Sequence, residues 1–353
     1  MGLGTRATIV SASPGVALPR PYLLFLGDTV EPGYAKTAFG LRDWARDECI
    51  GEFALPSATV STGLPKLTPG EAHASGARAL VIGVANSGGF IAETWVPALV
   101  EALEAGLDLV SGMHAHLADV PMLAAAAERL GRRLIDLRVP PANIPIATGL
   151  KRSGKRLLTV GTDCALGKKY TALSIARAFE ARGVDCDFRA TGQTGIMIAG
   201  SGIPMDAVVS DFAAGASEIL SPAAGPDHWD VIEGQGSLLH PVFAGVTLSL
   251  LHGSQPDVFV VCHEPTRTRL LGDEEFAVPS VEEIIELTIR LGSRTNPAIR
   301  VGGISFNTSS LREDQAREVI AAESARLGIP VADPMRGGEE FEKLVDSCLG
   351  AAA

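Results

Sequence analysis

The 353-residue sequence contains no run approaching the ~18–20 consecutive apolar residues that a bilayer crossing requires. Its first stretch, MGLGTRATIVSASPG, has one arginine but no apolar block of the signal-peptide kind. A cytoplasmic protein with no membrane partner is therefore expected. Cysteine is scarce and scattered. Cys49, Cys164, Cys186, Cys262 and Cys348 include no C-x-x-C pair, which argues against a disulfide framework or a structural zinc site. Positive charge is also in short supply. The formal net charge of −11 argues against a nucleic-acid partner. No short-period repeat or low-complexity tract interrupts the chain. A G-x-G-x-x-G fingerprint is missing too. The NSGG turn at 86–89 is anion-friendly but does not support an NAD site.

What remains is a globular composition, 46% hydrophobic and 20% charged, with enough length for two domains. Short apolar runs suited to buried parallel strands alternate with amphipathic segments. In the first half, strands are expected at 21–28, 77–85, 107–114 and 132–138, and helices at 93–106 and 120–131. In the second half, strands are expected at 157–161, 184–191, 228–234, 256–264, 299–307 and 329–334. Helices fall at 206–220, 281–292 and 313–328, with another after the first of those strands. Such alternation implies α/β parallel sheets with helices on both faces. The stretch VPPANIPIATGLKRSGKR reads as a solvated linker. It sets a boundary near residue 150, giving domains 1–150 and 151–353.

The chemistry centres on LLTVGTDCALGKKYTALSIARAF, residues 157–179. A strand, a turn of small residues, a Gly-Lys pair and a helix make the outline of a phosphate loop. Such a loop turns backbone N–H groups toward an anion at a helix N-terminus and adds a lysine. The expected cradle is Gly161, Thr162, Cys164, Ala165, Leu166, Gly167, Lys168 and Lys169. The strict pattern G-x-x-x-x-G-K-[ST] is not met: Gly161 is one position early, and Lys169 stands where a magnesium-binding hydroxyl belongs. Thr171, two residues on, is a poor substitute. The loop therefore reads as one that grips phosphates without a metal, and no metal site is expected. His114 and His116 share a strand face on this reading but lack a third ligand.

The segments VGTDCALGKKYTA, ATGQTGIMIAGSGIPMDAVVSDFAAGASE, EGQGSLLHP and LLHGSQPDVFVVCHEPTR, with LDLVSGMHAHLAD in the first half, resemble the D-glutamate N-acetyltransferase family. The resemblance spans nearly the whole chain. It implies a Rossmann-like N-terminal domain followed by a P-loop domain, and transfer of acetyl from acetyl-CoA to the amine of D-glutamate. The loop GTDCALGK also resembles that of dethiobiotin synthetase, an ATP-dependent enzyme. That likeness covers the second half only, breaks at Lys169, and meets Ala165 where that enzyme has glycine. An ATP-dependent ligase or kinase is thus the rival reading, and a nucleotide sensor without turnover a third.

On the leading reading, coenzyme A offers its diphosphate to the loop and its adenine to Asn307, an alternative being that Asn307 only starts a turn. Glu233, just past an apolar strand, is the first candidate to take the proton from the attacking amine. Asp163 competes with it, and His240 is a reserve base. Gln193, Thr194, Gln235 and Ser237 are candidate substrate contacts, and the Gly234–Gly236 turn a source of oxyanion donors. Arg267 and Arg269 are candidate clamps for the two carboxylates of the substrate. Cys164, at a helix N-terminus beside Lys168, is expected to have a lowered thiol pKa, which leaves an acyl-cysteine route conceivable. The segment 270–280 reads as a lid or an ordinary loop. A homo-oligomer is expected.

Overall fold

A computed structural model describes residues 18–86 and 88–350. The leader-type stretch considered above, and Ser87 of the 86–89 turn, lie outside the described residues. The chain divides into two compact units. One holds the residues up to Ala142 together with Gln193–Ala207, and the other holds Asn143–Gly192 and Val208 onward. The division thus falls between Ala142 and Asn143, and one later segment crosses back.

The first unit runs β1 (Tyr22–Gly27), α1 (Lys36–Trp44), β2 (Cys49–Ala54), α2 (Pro69–Ala74), β3 (Ala79–Ile82), α3 (Val96–Glu104), β4 (Asp108–Ser111), α4 (Pro121–Leu130) and β5 (Leu134–Asp136). Its five strands are parallel, in the order β2-β1-β3-β4-β5. β1, YLLFLG, is buried along its whole length, as the centre of a sheet covered on both faces must be. Leu23, Phe25, Leu80 and Leu99 join one core, each worth about 1.5–3 kcal/mol of burial. α2 starts at a capping box between Thr68 and Glu71. α4 stops at Gly131, whose φ of 63° is left-handed. His114 and His116 follow β4 in a turn, so the shared strand face expected for them does not form.

The second unit runs β6 (Lys155–Gly161), α5 (Lys168–Ala181), β7 (Cys186–Arg189), then past α6 (Gln193–Ala199) to α7 (Ser210–Leu220), β8 (Trp229–Ile232), α8 (Ala244–Ser254) and β9 (Val258–His263). It continues with a hairpin of β10 (Arg269–Leu270) and β11 (Asp273–Ala277), then α9 (Val281–Gly292), β12 (Arg300–Phe306), α10 (Glu313–Leu327), β13 (Val331–Ala332) and α11 (Glu339–Leu349). Six strands form a parallel sheet in the order β13-β12-β9-β6-β8-β7. The order places β6, which feeds the phosphate loop, between β9 and β8. α6 folds with the first unit. There the Thr194 hydroxyl lies 3.1 Å from that of Thr37, and Arg20 donates to the carbonyls of Met197 and Ile198.

The linker reading of 139–156 fails at its cationic end. Lys155 and Arg156 already belong to β6, and the Arg156 side chain is fully buried. Its guanidinium donates to Ser221 Oγ at 2.6 Å and to the carbonyls of Arg152, Gly154, Ser153 and Pro222. A buried guanidinium persists because these acceptors satisfy its donors. Composition counts cations but does not reveal such a ring of carbonyls. Among the described residues, no helix is long and apolar enough to cross a membrane.

Candidate active site

The loop joins β6 to α5 in the strand–turn–helix order that the sequence anticipates. Gly167 caps α5 with φ 102°, a conformation that favours glycine. Ala165 also takes a left-handed φ of 53°, at the position where a glycine would be at ease. Lys168 is buried, and its Nζ donates to the carbonyl of Asp163 at 2.6 Å. Burial lowers the Lys168 pKa. The Lys169 ammonium stands 5.1 Å from the Tyr170 ring centre. Thr171 turns into the sheet, where its hydroxyl lies 2.7 Å from that of Ser305 and accepts from Cys262 Sγ. Thr162 is buried too, with Oγ1 2.9 Å from His263 Nδ1.

Asp163 organises the loop. One carboxylate oxygen accepts from Cys164 N at 2.5 Å. The other accepts from Arg267 Nη1 and from Leu271 N, each at 2.9 Å. Arg267 also donates to the Cys164 carbonyl at 2.8 Å and to Glu264 at 2.6 Å. Both residues are thereby committed to each other. The Asp163 carboxylate is thus engaged by three donors, and a guanidinium spent on Asp163 and Glu264 has little left for a substrate carboxylate. Arg269 lies exposed on β10 and donates to the Glu275 carbonyl at 3.3 Å.

Glu233 follows β8 and is almost fully buried. Its Oε2 accepts from Thr191 N at 2.9 Å and Gly192 N at 3.0 Å, so Oε1 is the oxygen outside those anchoring bonds. Desolvation raises its pKa, against the pull of Lys169, those backbone N–H groups and Lys168. Gln235 donates to the Thr191 hydroxyl at 3.0 Å, across the same turn. Gly234 must be glycine: a Cβ there would come within 1.7 Å of the Thr159 carbonyl oxygen. Its N–H donates to Thr159 Oγ1 at 2.9 Å, which removes it from the set of oxyanion donors expected in this turn. Ser237 and His240 are buried in the following loop. Gln193 and Thr194 fold with the first unit, where Gln193 packs against Gly112.

His240 Nδ1 accepts from Val242 N at 3.2 Å and Phe243 N at 3.4 Å. The neutral ring therefore carries its proton on Nε2, which faces Asp163 Oδ1 at 3.7 Å and Asp273 Oδ2 at 3.6 Å. With its proton on Nε2 and both carboxylates beyond hydrogen-bond distance, the ring is unsuited to the base role held in reserve for it. Asp163, Cys164 and His240 offer three ligand atoms within 4.8 Å of one another. The cluster is nonetheless a poor cation holder, because Nε2 has no lone pair to give and the Asp163 carboxylate is already paired with Arg267. For Cys164 the expected thiol shift is reversed. Desolvation raises its pKa more than Lys168 lowers it, which disfavours a thiolate.

On the other side of β6, a cavity of about 370 Å³ opens among Gly167, Tyr170, Asn307, Pro334, Met335 and Arg336. It borders the phosphate loop and is of ligand size. Asn307 Oδ1 accepts from Ser309 N at 3.2 Å, so the residue starts a turn and also lines the cavity. Asp333 braces that wall by accepting from Thr308 N at 3.0 Å and Met335 N at 2.9 Å. Sequence reasoning passed over Asp333 and Asp273. The first has a visible signal, a polar residue inside the stretch 329–334, directly after the apolar pair of β13. The second sits in the hairpin that was read as a lid or a loop.

Residues 145–345 match the P-loop domain of a family described as a domain of unknown function, DUF1611, and residues 52–140 match its Rossmann-like domain. A D-glutamate N-acetyltransferase from Tritonibacter scottomollicae is 51% identical over 327 residues, covering 93% of this chain and 98% of that protein. A protein of the same name from a Pseudoalteromonas species is 48% identical over 318 residues, covering 90% and 96%. The crystal structure of a DUF1611 family protein from Anabaena variabilis superposes with a TM-score of 0.84 at 34% identity, over 94% of this chain and 99% of that one.

Proposed function

The chain belongs to the DUF1611 family, that of the D-glutamate N-acetyltransferases, and from that membership we propose that it moves acetyl from acetyl-CoA to the amine of D-glutamate. The observation that carries the donor assignment is the order of features across the second sheet. A nucleoside-sized cavity lies at the ends of β12 and β13, the phosphate loop at the end of β6, and Glu233 at the end of β8. A carrier with a nucleoside at one end, a diphosphate in its middle and a thioester at the other matches that sequence of sites.

The amine nitrogen attacks the thioester carbonyl. A C–N bond forms, the C–S bond breaks, and the carrier leaves as a thiolate that is then protonated. Only the neutral amine is nucleophilic, so a proton must leave the ammonium, and Glu233 Oε1 is the assigned acceptor. Its raised pKa brings it nearer the working pH than an ordinary carboxylate. Lys168 and Lys169 hold the diphosphate by charge, with no hydroxyl after Lys168 to place magnesium. Asp163 and Arg267 fix the loop's shape. Asn307 meets the base of the carrier. Gln235 and Ser237 remain the assigned substrate contacts in this unit, and Gln193, Thr194 and Arg269 stay open to the same role. The five free thiols suit a reducing, cytoplasmic setting, and a homo-oligomer stays part of the reading.

One assay tests it. The protein is incubated with acetyl-CoA and a panel of D- and L-amino acids, with and without Mg-ATP. Release of free thiol with D-glutamate and no ATP is the expected result. Product that appears only as ADP accumulates would overturn the assignment in favour of a ligase.

A further inference from the structure

Several large apolar side chains stand in solvent around one point of the second unit. Leu239, Val242 and Phe243 are 41%, 61% and 47% exposed, and Leu271 at the hairpin tip is 58% exposed. His240 draws them together. The Phe243 ring packs 4.8 Å from its ring, and its Nε2 lies 3.6 Å from Asp273 of the hairpin. The Leu271 N–H reaches Asp163 of the phosphate loop at 2.9 Å. The loop after β8 and the β10–β11 hairpin thus meet at the phosphate loop and surround its mouth with apolar surface. An exposed apolar patch beside a polar site marks a binding surface.

We propose that this rim seats the acyl-bearing arm of the donor, the chain of methylenes and amides between diphosphate and thioester. The inference rests on the donor reading given above. The cavity at Asn307 takes the nucleoside on the β12 side of β6, and the diphosphate sits on the loop. A linear carrier held at those two points sends its remaining arm toward β8, which is where the rim lies.

Leu271→Asn and Val242→Asn, polar but uncharged, test the rim, since both side chains are largely exposed and the fold does not depend on burying them. The readouts are the KM for acetyl-CoA, the Kd for ADP and the oligomeric state. Each variant is expected to raise the acetyl-CoA KM about tenfold while the ADP Kd stays within about twofold, because only the arm loses apolar contact. An unchanged KM in both variants overturns the inference. So does an ADP Kd that rises in step with KM in both, or dissociation to monomer at constant KM, which would give the rim to a second copy of the chain. Failure of the unaltered protein to bind either ADP or acetyl-CoA would instead remove the donor reading itself.

Discussion

Arg267 Nη1 lies 2.9 Å from Asp163 Oδ2 and joins the exit of β9 to the phosphate loop. The Asp163 side chain is fully buried, and this ion pair compensates its desolvation. Removing one member of such a pair leaves the other uncompensated. Arg267→Ala is expected to cost about 3 kcal/mol in chemical denaturation, and Arg267→Ala with Asp163→Asn less than the sum of the single changes. Additive costs would show that the two side chains act independently.

Lys168 is expected to govern the donor and not the acceptor. Lys168→Ala should raise the acetyl-CoA KM by about tenfold or more and leave the D-glutamate KM near its starting value, since a buried ammonium on phosphate is a strong charge-assisted contact. Steady-state kinetics with each substrate varied in turn checks this. An unchanged acetyl-CoA KM would detach the loop from the donor.

Glu233→Gln should lower kcat by roughly 10²–10⁴ with a small change in KM. The pH profile gives the sharper readout. Glu233 must be ionised to accept a proton, so the rate rises with pH through its pKa. Burial raises that pKa, so the acid limb should lie above the ordinary carboxylate value of about 4.3. The glutamine variant should lose that limb. If it survives, another group is the base.

Asp136 makes the stability of the first unit depend on pH. Burial pushes its carboxyl up to about 6, despite the Leu117 N–H it accepts and His116 at 3.7 Å. The unfolded value is about 3.9. A raised native pKa means that the folded state binds the extra proton. The stabilisation is complete below about pH 4 and is lost as pH rises through about 6. Denaturation curves should show a fall of about 3 kcal/mol at most across that window. Asp136→Asn should flatten it.

Much of the fold was legible because buried parallel strands announce themselves as apolar runs. β1, β3, β4, β9 and β12 all lie inside the stretches expected as strands, β6 begins two residues ahead of its expected start, and α9 matches 281–292 residue for residue. The misses have physical reasons. β2, CIGEFA, carries a glutamate in mid-strand, and that Glu52 is buried only because Ser61 and Thr62 donate to it. α6 is absent from the expected helices, because QTGIMIA is short and its stability comes from packing on the first unit. At the site, the phosphate loop and Glu233 were visible as residue types after apolar strands. The Asp163–Arg267 pairing was not, because partners so far apart along the chain share no local pattern. Nor was the Cys164 shift, which desolvation decides and a sequence does not display.

α6 leaves the second half of the chain to fold with the first, and this limits how the protein can be dissected. A fragment ending at the apparent boundary near 150 would lack Gln193–Ala207, leaving Arg20 without its carbonyl acceptors and Thr37 without its hydroxyl neighbour. The complementary fragment would carry that helix with nothing to dock on. Separately expressed halves should therefore behave poorly, and a faithful excision of the first part needs the crossing segment grafted back onto it.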